Sequence, residues 1–238
     1  MSLPTIVTAY FKMRSKAPHS AYEEWMRNLL SLQDSMIIYT TEDLKEHMYE
    51  LRGHAINRTQ VIATELNTTR AARLCDSAGA LCGETDSLAW WQRQLEIDPE
   101  RDLHQSFELF WVWLSKSEFV SRAIGLDPFG SEVFIWSDIG CFREPSYNGR
   151  LWASNLEAVP LNSLLMMQVD PFPPLPEGKL YVKDLECHAA KTPSGPGAYR
   201  GSCIPVAPVA GAQLAGRKDT WGRWEPLFDA TLREVRVG

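Results

Sequence analysis

Two rhythms of apolar residues organise the first half of this chain. Thr5 to Phe11 is an unbroken β-branched and aromatic run after Pro4 and reads as a strand. A basic, loop-like stretch follows from Lys12 to Pro18. Tyr22, Trp25, Met26, Leu29 and Leu30 then share one face at helical spacing, with Ser20 and Glu23 as a capping box that opens the helix. Ser35 to Tyr39 returns to strand character and closes on Thr40 and Thr41. A second helix opens at Thr41-Glu-Asp-Leu, and the polar run through Arg52 and Asn57 leads into Thr59 to Leu66. A β-α-β-α order predicts a parallel sheet with crossover helices.

Residues 67–87 are rich in Ala, Gly, Ser and Thr and lack periodicity. Leu88 to Leu95 reads as helical, and after Pro99-Glu100 the spacing predicts one aromatic helix from about His104 to Ile124. Phe107, Phe110, Trp111, Leu114, Phe119 and Ile124 line its apolar face, and Gly125 is the expected stop. Val133 to Trp136 is a buried strand that runs into Asp138, with Gly140 two residues on. Beyond Arg143 the pattern loosens into a loop at 145–149, an apolar stretch at 161–168, a proline-rich segment from Asp170 to Gly178, and a Gly/Pro/Ala/Ser tract at 192–211. The fold class expected is therefore α/β, with a mostly parallel central sheet flanked by helices and no distinct second domain.

Composition narrows the function classes. A net charge of -6 argues against sequence-blind binding of nucleic acid polymers, which needs a basic surface. A nucleotide asks for only a few placed cations and amides. Nine tryptophans are more than packing alone leads one to expect, with interior aromatics the simpler explanation. Cys75, Cys82, Cys141, Cys187 and Cys203 are odd in number and form no CxxC pair, so the expectation is reduced thiols without structural zinc. There is no signal-peptide pattern and no run of about 18 apolar residues, so no membrane span is expected and a cytoplasmic location is the default.

The P-loop, GxGxxG, GxSxG and HExxH motifs are all absent. His47 and His54 read as surface residues, and Glu186-Cys187-His188 is too local to converge on one ion. The strand ends are more informative. If the strands ending at Tyr10, Thr40 and Asp138 are parallel, all three edges face one crevice, where open α/β sheets bind ligands. There Asp138 reads either as an oxygen ligand for a divalent cation or as a turn cap after its strand. Tyr10 reads as a base-stacking ring or a core tyrosine. Arg52 and Lys116 are candidate cations for a diphosphate; the plainer readings are a solvated arginine and a snorkelling lysine.

Several segments taken in order resemble the HtrL/YibB family of glycosyltransferase-like proteins, whose relatives include small glycosyltransferase domains of large algal viruses. They are Thr5-Ile-Val-Thr-Ala-Tyr-Phe11, Ser20-Ala-Tyr-Glu-Glu-Trp-Met26, Met36-Ile-Ile-Tyr-Thr40, Arg52 with Thr59-Gln-Val-Ile62, Phe110-Trp-Val-Trp-Leu-Ser-Lys116, Asp127-Pro-Phe-Gly-Ser131 and Phe134-Ile-Trp-Ser-Asp-Ile-Gly-Cys-Phe-Arg143. The resemblance covers roughly residues 5–145. It implies a GT-A-type nucleotide-sugar-binding fold, in which a strand ends in Asp-x-Asp and the two acids hold Mn²⁺ or Mg²⁺ on the donor diphosphate. Here that position reads Asp138-Ile-Gly140, so only the first acid is present. The resemblance further implies that Asp138 contacts metal or ribose, that Thr8, Ala9 and Tyr10 lie where the nucleoside is held, and that Arg52 approaches the phosphates. Thr40, at the end of the second strand, is a further cofactor-binding candidate from its place at that edge.

The expected organisation is a single domain over residues 1–238. Residues 1–145 would bind the nucleotide sugar, and 146–238 would form an irregular acceptor-side part whose completeness the tail leaves open. Gly197 to Ser202 stands as an acceptor-side glycine segment, and Glu225 or Asp229 as a later acid. The implied activity is transfer of a sugar from a UDP-sugar or related donor to a hydroxyl acceptor, with Asp138 and Lys116 at the reacting phosphates. Alternatives are a nucleotide-sugar binder without turnover, favoured by the missing second acid, and an interaction module, which an exposed Trp111/Trp113 patch would favour.

Overall fold

The computed structural model describes residues 3–76, 87–145, 149–153, 165–168 and 209–234. The chain divides into two compact units, Met1–Leu165 with Ala212–Gly238, and Met166–Gly211. In the second unit the described residues are strand, within β5 (Leu165–Gln168) and the start of β6 (Val209–Arg217). The expected proline-rich segment, the Glu186-Cys187-His188 run and the Gly197 segment lie outside the described residues.

The first unit carries the sheet. Its strands β1 (Thr5–Tyr10), β2 (Ser35–Thr40), β3 (Thr59–Ala63) and β4 (Val133–Ser137) stand in the order β3-β2-β1-β4, all parallel, and β6 pairs antiparallel with β4. Every residue of β1, β2 and β4 is buried. Strands covered on both faces need continuous apolar runs of this kind. β3, next to β2 alone in this row, shows the alternation of a half-covered strand, with Val61 buried and Gln60 exposed.

The period-two side-chain alternation sorts two cores. Ile6, Tyr10, Met36 and Ile38 meet Met26, Leu29 and Met48 of α1 (His19–Leu30) and α2 (Lys45–Leu51). On the other face Val7, Ala9, Ile37, Tyr39, Phe134 and Trp136 meet the aromatic helices. These are α3 (Ser87–Ile97), α5 (Glu108–Leu114), α6 (Lys116–Leu126) and α7 (Lys218–Glu234), with the short α4 (Arg101–His104) between α3 and α5 in the chain. Trp221 of α7 is fully buried and donates its indole N–H to the Phe134 carbonyl at 3.1 Å. None of the nine tryptophans is exposed, so interior packing accounts for their number.

Several local expectations need correction. The first helix starts at His19 with Pro18 at its cap and no side-chain cap, while Glu23 pairs with Arg27 and His47. The single aromatic helix is three: Gln105, in the left-handed region at φ 59°, ends α4, and Ser115 separates α5 from α6. Gly125 lies inside α6. The stop is Asp127 at φ 35°, whose carboxylate accepts the Ser131 N–H at 3.0 Å and Lys218 Nζ at 2.7 Å. Cys75 is disulfide-bonded, unlike the reduced thiols expected from spacing. Among the described residues no helix is long and apolar enough to cross a membrane.

Candidate functional site

The parallel pairing brings the C-terminal ends of β1, β2 and β4 to one edge. Val7 lies opposite Trp136, so the register carried forward sets Asp138 level with Ala9. Asp138 follows the buried strand directly and is 32% exposed at its side chain. The break at Ser115 makes Lys116 the first residue of α6, and its ammonium lies 2.8 Å from Asp138 Oδ1 and 3.1 Å from Oδ2. Trp136, locked in the core, donates its indole N–H to Oδ1 at 2.7 Å. The same ammonium sits over the Trp136 ring, 5.8 Å from its centroid. The carboxylate is thus oriented from two sides. Lys116 does not snorkel into solvent; it is 8% exposed and held by the acid.

A cleft of about 760 Å³ opens on the same edge. That is within the roughly 300–1,000 Å³ range of small-molecule pockets. Its walls include Phe11 after β1, Thr41 after β2 and Glu65 after β3, faced by Phe107 and Trp111. Trp111 is 6% exposed, and its indole N–H has no hydrogen-bond partner among the described residues. Lys12 and Arg14 add exposed cations to the rim. A small hollow of about 70 Å³ shares Phe11 and Met13 with the cleft and reaches Ala9, Tyr10 and Ile139, the residue after Asp138. Asp138 and Lys116 line neither space; Asp138 stands one residue beyond the hollow.

The other expected contacts divide. Thr8 is fully buried with its hydroxyl unpartnered among the described residues, and Ala9 walls the hollow. Tyr10 stacks on His19 and hydrogen-bonds its ring, with burial and then Glu23 pushing the phenol up to about 12. Its ring is therefore occupied by the protein and not offered to a base. Thr40 donates its hydroxyl to the Tyr10 carbonyl at 2.8 Å, fastening the ends of β1 and β2. Arg52 lies elsewhere. It is fully buried, and its guanidinium donates to the carbonyls of Leu30, Leu32 and Asp34 and to Thr59 Oγ1, around the N-terminal ends of β2 and β3. That is the opposite edge of the sheet, so the expected approach to phosphates is not met. Glu225 and Asp229 pair with Arg70 and clasp α7. Lys12, Arg14, Phe107 and Trp111 were not singled out for this site. The basic loop directly after β1 was the available signal for the first two.

A divalent ion does not fit the described residues. Hard cations take several oxygen ligands, yet no group of three metal-ligating side chains occurs among the described residues. Both Asp138 oxygens are engaged, and where Asp-x-Asp has its second acid a Cβ on Gly140 would come 3.1 Å from Trp25 Cε3 and 3.3 Å from Tyr22 Cε1. Gly140→Asp is accordingly expected to lose about 1–3 kcal/mol through overpacking and to create no ion site. Thermal melts with and without Mn²⁺ check this; a Mn²⁺-dependent rise in Tm would contradict it. Cys141 beside this pair is a poor nucleophile, its thiol pushed up to about 11 by burial and then by the Asp138 charge.

Fold and site together define an α/β protein with a cleft at the C-terminal edge of its parallel strands. The family model described as "Bacterial protein of unknown function (HtrL_YibB)" matches residues 2–169, and the chain belongs to that family. No curated protein sequence matches it. Among solved structures it is similar to the apo form of mouse xyloside xylosyltransferase 1, at 12% identity over 98% of this chain and 73% of that chain, with a TM-score of 0.46. That likeness is too slight to bear on function.

Proposed function

We propose that this protein is a glycosyltransferase that binds a nucleoside-diphosphate sugar along the C-terminal edge of β1, β2 and β4. The observation that carries the reading is the Asp138–Lys116 pair, set directly after β4 on the same sheet edge as a cleft whose walls follow β1, β2 and β3. Ligands of open α/β sheets collect outside such an edge. The family resemblance supplies the donor class. In this reading the nucleoside enters the cleft between Phe11 and Thr41 on one side and Trp111 on the other. The diphosphate runs toward Lys116, and Asp138 holds that ammonium and reaches the ribose. Lys12 and Arg14 attract the anionic donor from the rim.

In the reaction the bond from the anomeric carbon to the β-phosphate oxygen breaks, and its electron pair leaves with the diphosphate. The acceptor hydroxyl oxygen bonds to that carbon, and its proton passes to the released diphosphate or to water. Lys116 meets charge that grows on the leaving group, the kind of preorganised electrostatic stabilisation that often dominates catalysis. A second reading, a binder without turnover, is favoured by Gly140 in place of an acid. The interaction module is not favoured, because Trp111 is buried and Trp113 half-buried against His104 and Phe110.

A panel of UDP-, GDP- and CDP-sugars titrated calorimetrically, with release of free nucleoside diphosphate followed in parallel, tests the proposal. One donor is expected to bind and to release its diphosphate slowly to water. Binding without release would favour the binder; no binding to any donor would remove the proposal.

A further inference from the structure

We propose that the positive charge facing the donor diphosphate is built into the fold as Lys116, and that donor binding here needs no divalent ion. The inference rests on the donor-site reading above and concerns how that site neutralises its ligand. Lys116 begins α6, and its ammonium reaches both oxygens of Asp138, at 2.8 and 3.1 Å. The third constraint is the indole N–H of fully buried Trp136, which holds Oδ1 at 2.7 Å. For an ion to bind Asp138, it would have to displace one or both of these donors. It would then sit within a few ångströms of an ammonium of like charge that is only 8% exposed and so poorly screened.

The surrounding groups agree. A hard cation needs further oxygen ligands, and no cluster that could supply them occurs among the described residues. The neighbouring backbone position where a second carboxylate would stand is Gly140, pressed against Tyr22 and Trp25. The site therefore has the carboxylate, but the carboxylate serves the lysine. Asp138 fixes the ammonium at the strand edge through one short ion pair, and Trp136 fixes Asp138. An ammonium is a compact charge that binds phosphate oxygens as a point cation. Held this way, it is ordered before the donor arrives and spends little rotamer entropy on binding. Approach to the pair is from the Asp138 side, which is 32% exposed against 10% for the Lys116 side chain.

The test titrates UDP by calorimetry into the full chain, once in EDTA and once with Mn²⁺, for wild type, Lys116→Met and Lys116→Arg. Wild-type affinity is expected to agree within about threefold between the two conditions, because the phosphate contacts are the protein's own. Lys116→Met is expected to weaken UDP about tenfold or more in both, the loss of a charge-assisted contact. Lys116→Arg keeps the charge and is expected to stay within a few-fold of wild type. Thermal melts establish that each variant is folded, and the wild-type comparison stands without any variant. Affinity that requires Mn²⁺, or that survives Lys116→Met unchanged, overturns the inference. A wild type that binds UDP under neither condition removes the donor-site reading itself.

Discussion

Arg52→Leu is expected to cost about 3–5 kcal/mol of folding stability, at the upper end of what a single substitution does. The side chain is fully buried and donates in four directions: Nε to Thr59 Oγ1 at 2.9 Å, Nη1 to the Leu30 carbonyl at 2.9 Å and to that of Leu32, and Nη2 to the Asp34 carbonyl at 2.8 Å. These contacts bind the end of α1, the start of β2 and the start of β3 into one joint. Leucine fills part of the volume but leaves three carbonyls and a hydroxyl without their donor, and each unsatisfied buried group costs about 1–3 kcal/mol. Burial pulls the guanidinium down to about 10, with Asp34 opposing, so it remains cationic at neutral pH. Lysine is not expected to rescue it, because a single ammonium cannot reproduce the planar fork. At this chain length a loss of that size lowers Tm by roughly 10 °C. Urea denaturation checks the value, and a loss below about 1 kcal/mol would refute this account of Arg52.

The same residue shows where sequence reading stopped. An arginine in a polar stretch carries no mark of burial; its role comes from carbonyls of Leu30, Leu32 and Asp34 that are neighbours only in the folded chain. The sheet, by contrast, was legible, because β1, β2 and β4 are covered on both faces and must be continuously apolar. The edge position of Asp138 followed from that. β6 was not legible: Val-Ala-Gly-Ala-Gln-Leu-Ala-Gly-Arg lacks β-branched and aromatic residues beyond its first position and is held as a strand by pairing with β4. The breaks in the aromatic helix were hidden for a related reason. Gln105 adopts a left-handed conformation with no glycine to announce it. Yet the break at Ser115 is what places Lys116 at a helix start beside Asp138. The lysine was visible as an interruption of an aromatic run, whereas its partner could be assigned only from geometry.

Asp138→Ala is expected to have the largest effect on ligand binding. It removes the acid that holds Lys116 at the strand edge, so the ammonium loses its 2.8 Å ion pair and the position that pair sets. It also strips the acceptor from the Trp136 indole N–H. The stability cost is held to about 1 kcal/mol by the partial exposure of the acid, whose charge water screens. The binding cost is larger because the diphosphate loses a preset cation and the ribose loses an acceptor, together about tenfold or more in affinity, or about 1.4 kcal/mol or above. Asp138→Asn keeps the shape and the Trp136 contact and is expected to fall between the two. Calorimetric titration of UDP-glucose into wild type and Asp138→Ala measures this directly. The account expects measurable binding to the wild type, reduced at least about tenfold in the variant while the fold persists. Equal affinity in the two proteins would contradict a donor site at this strand edge.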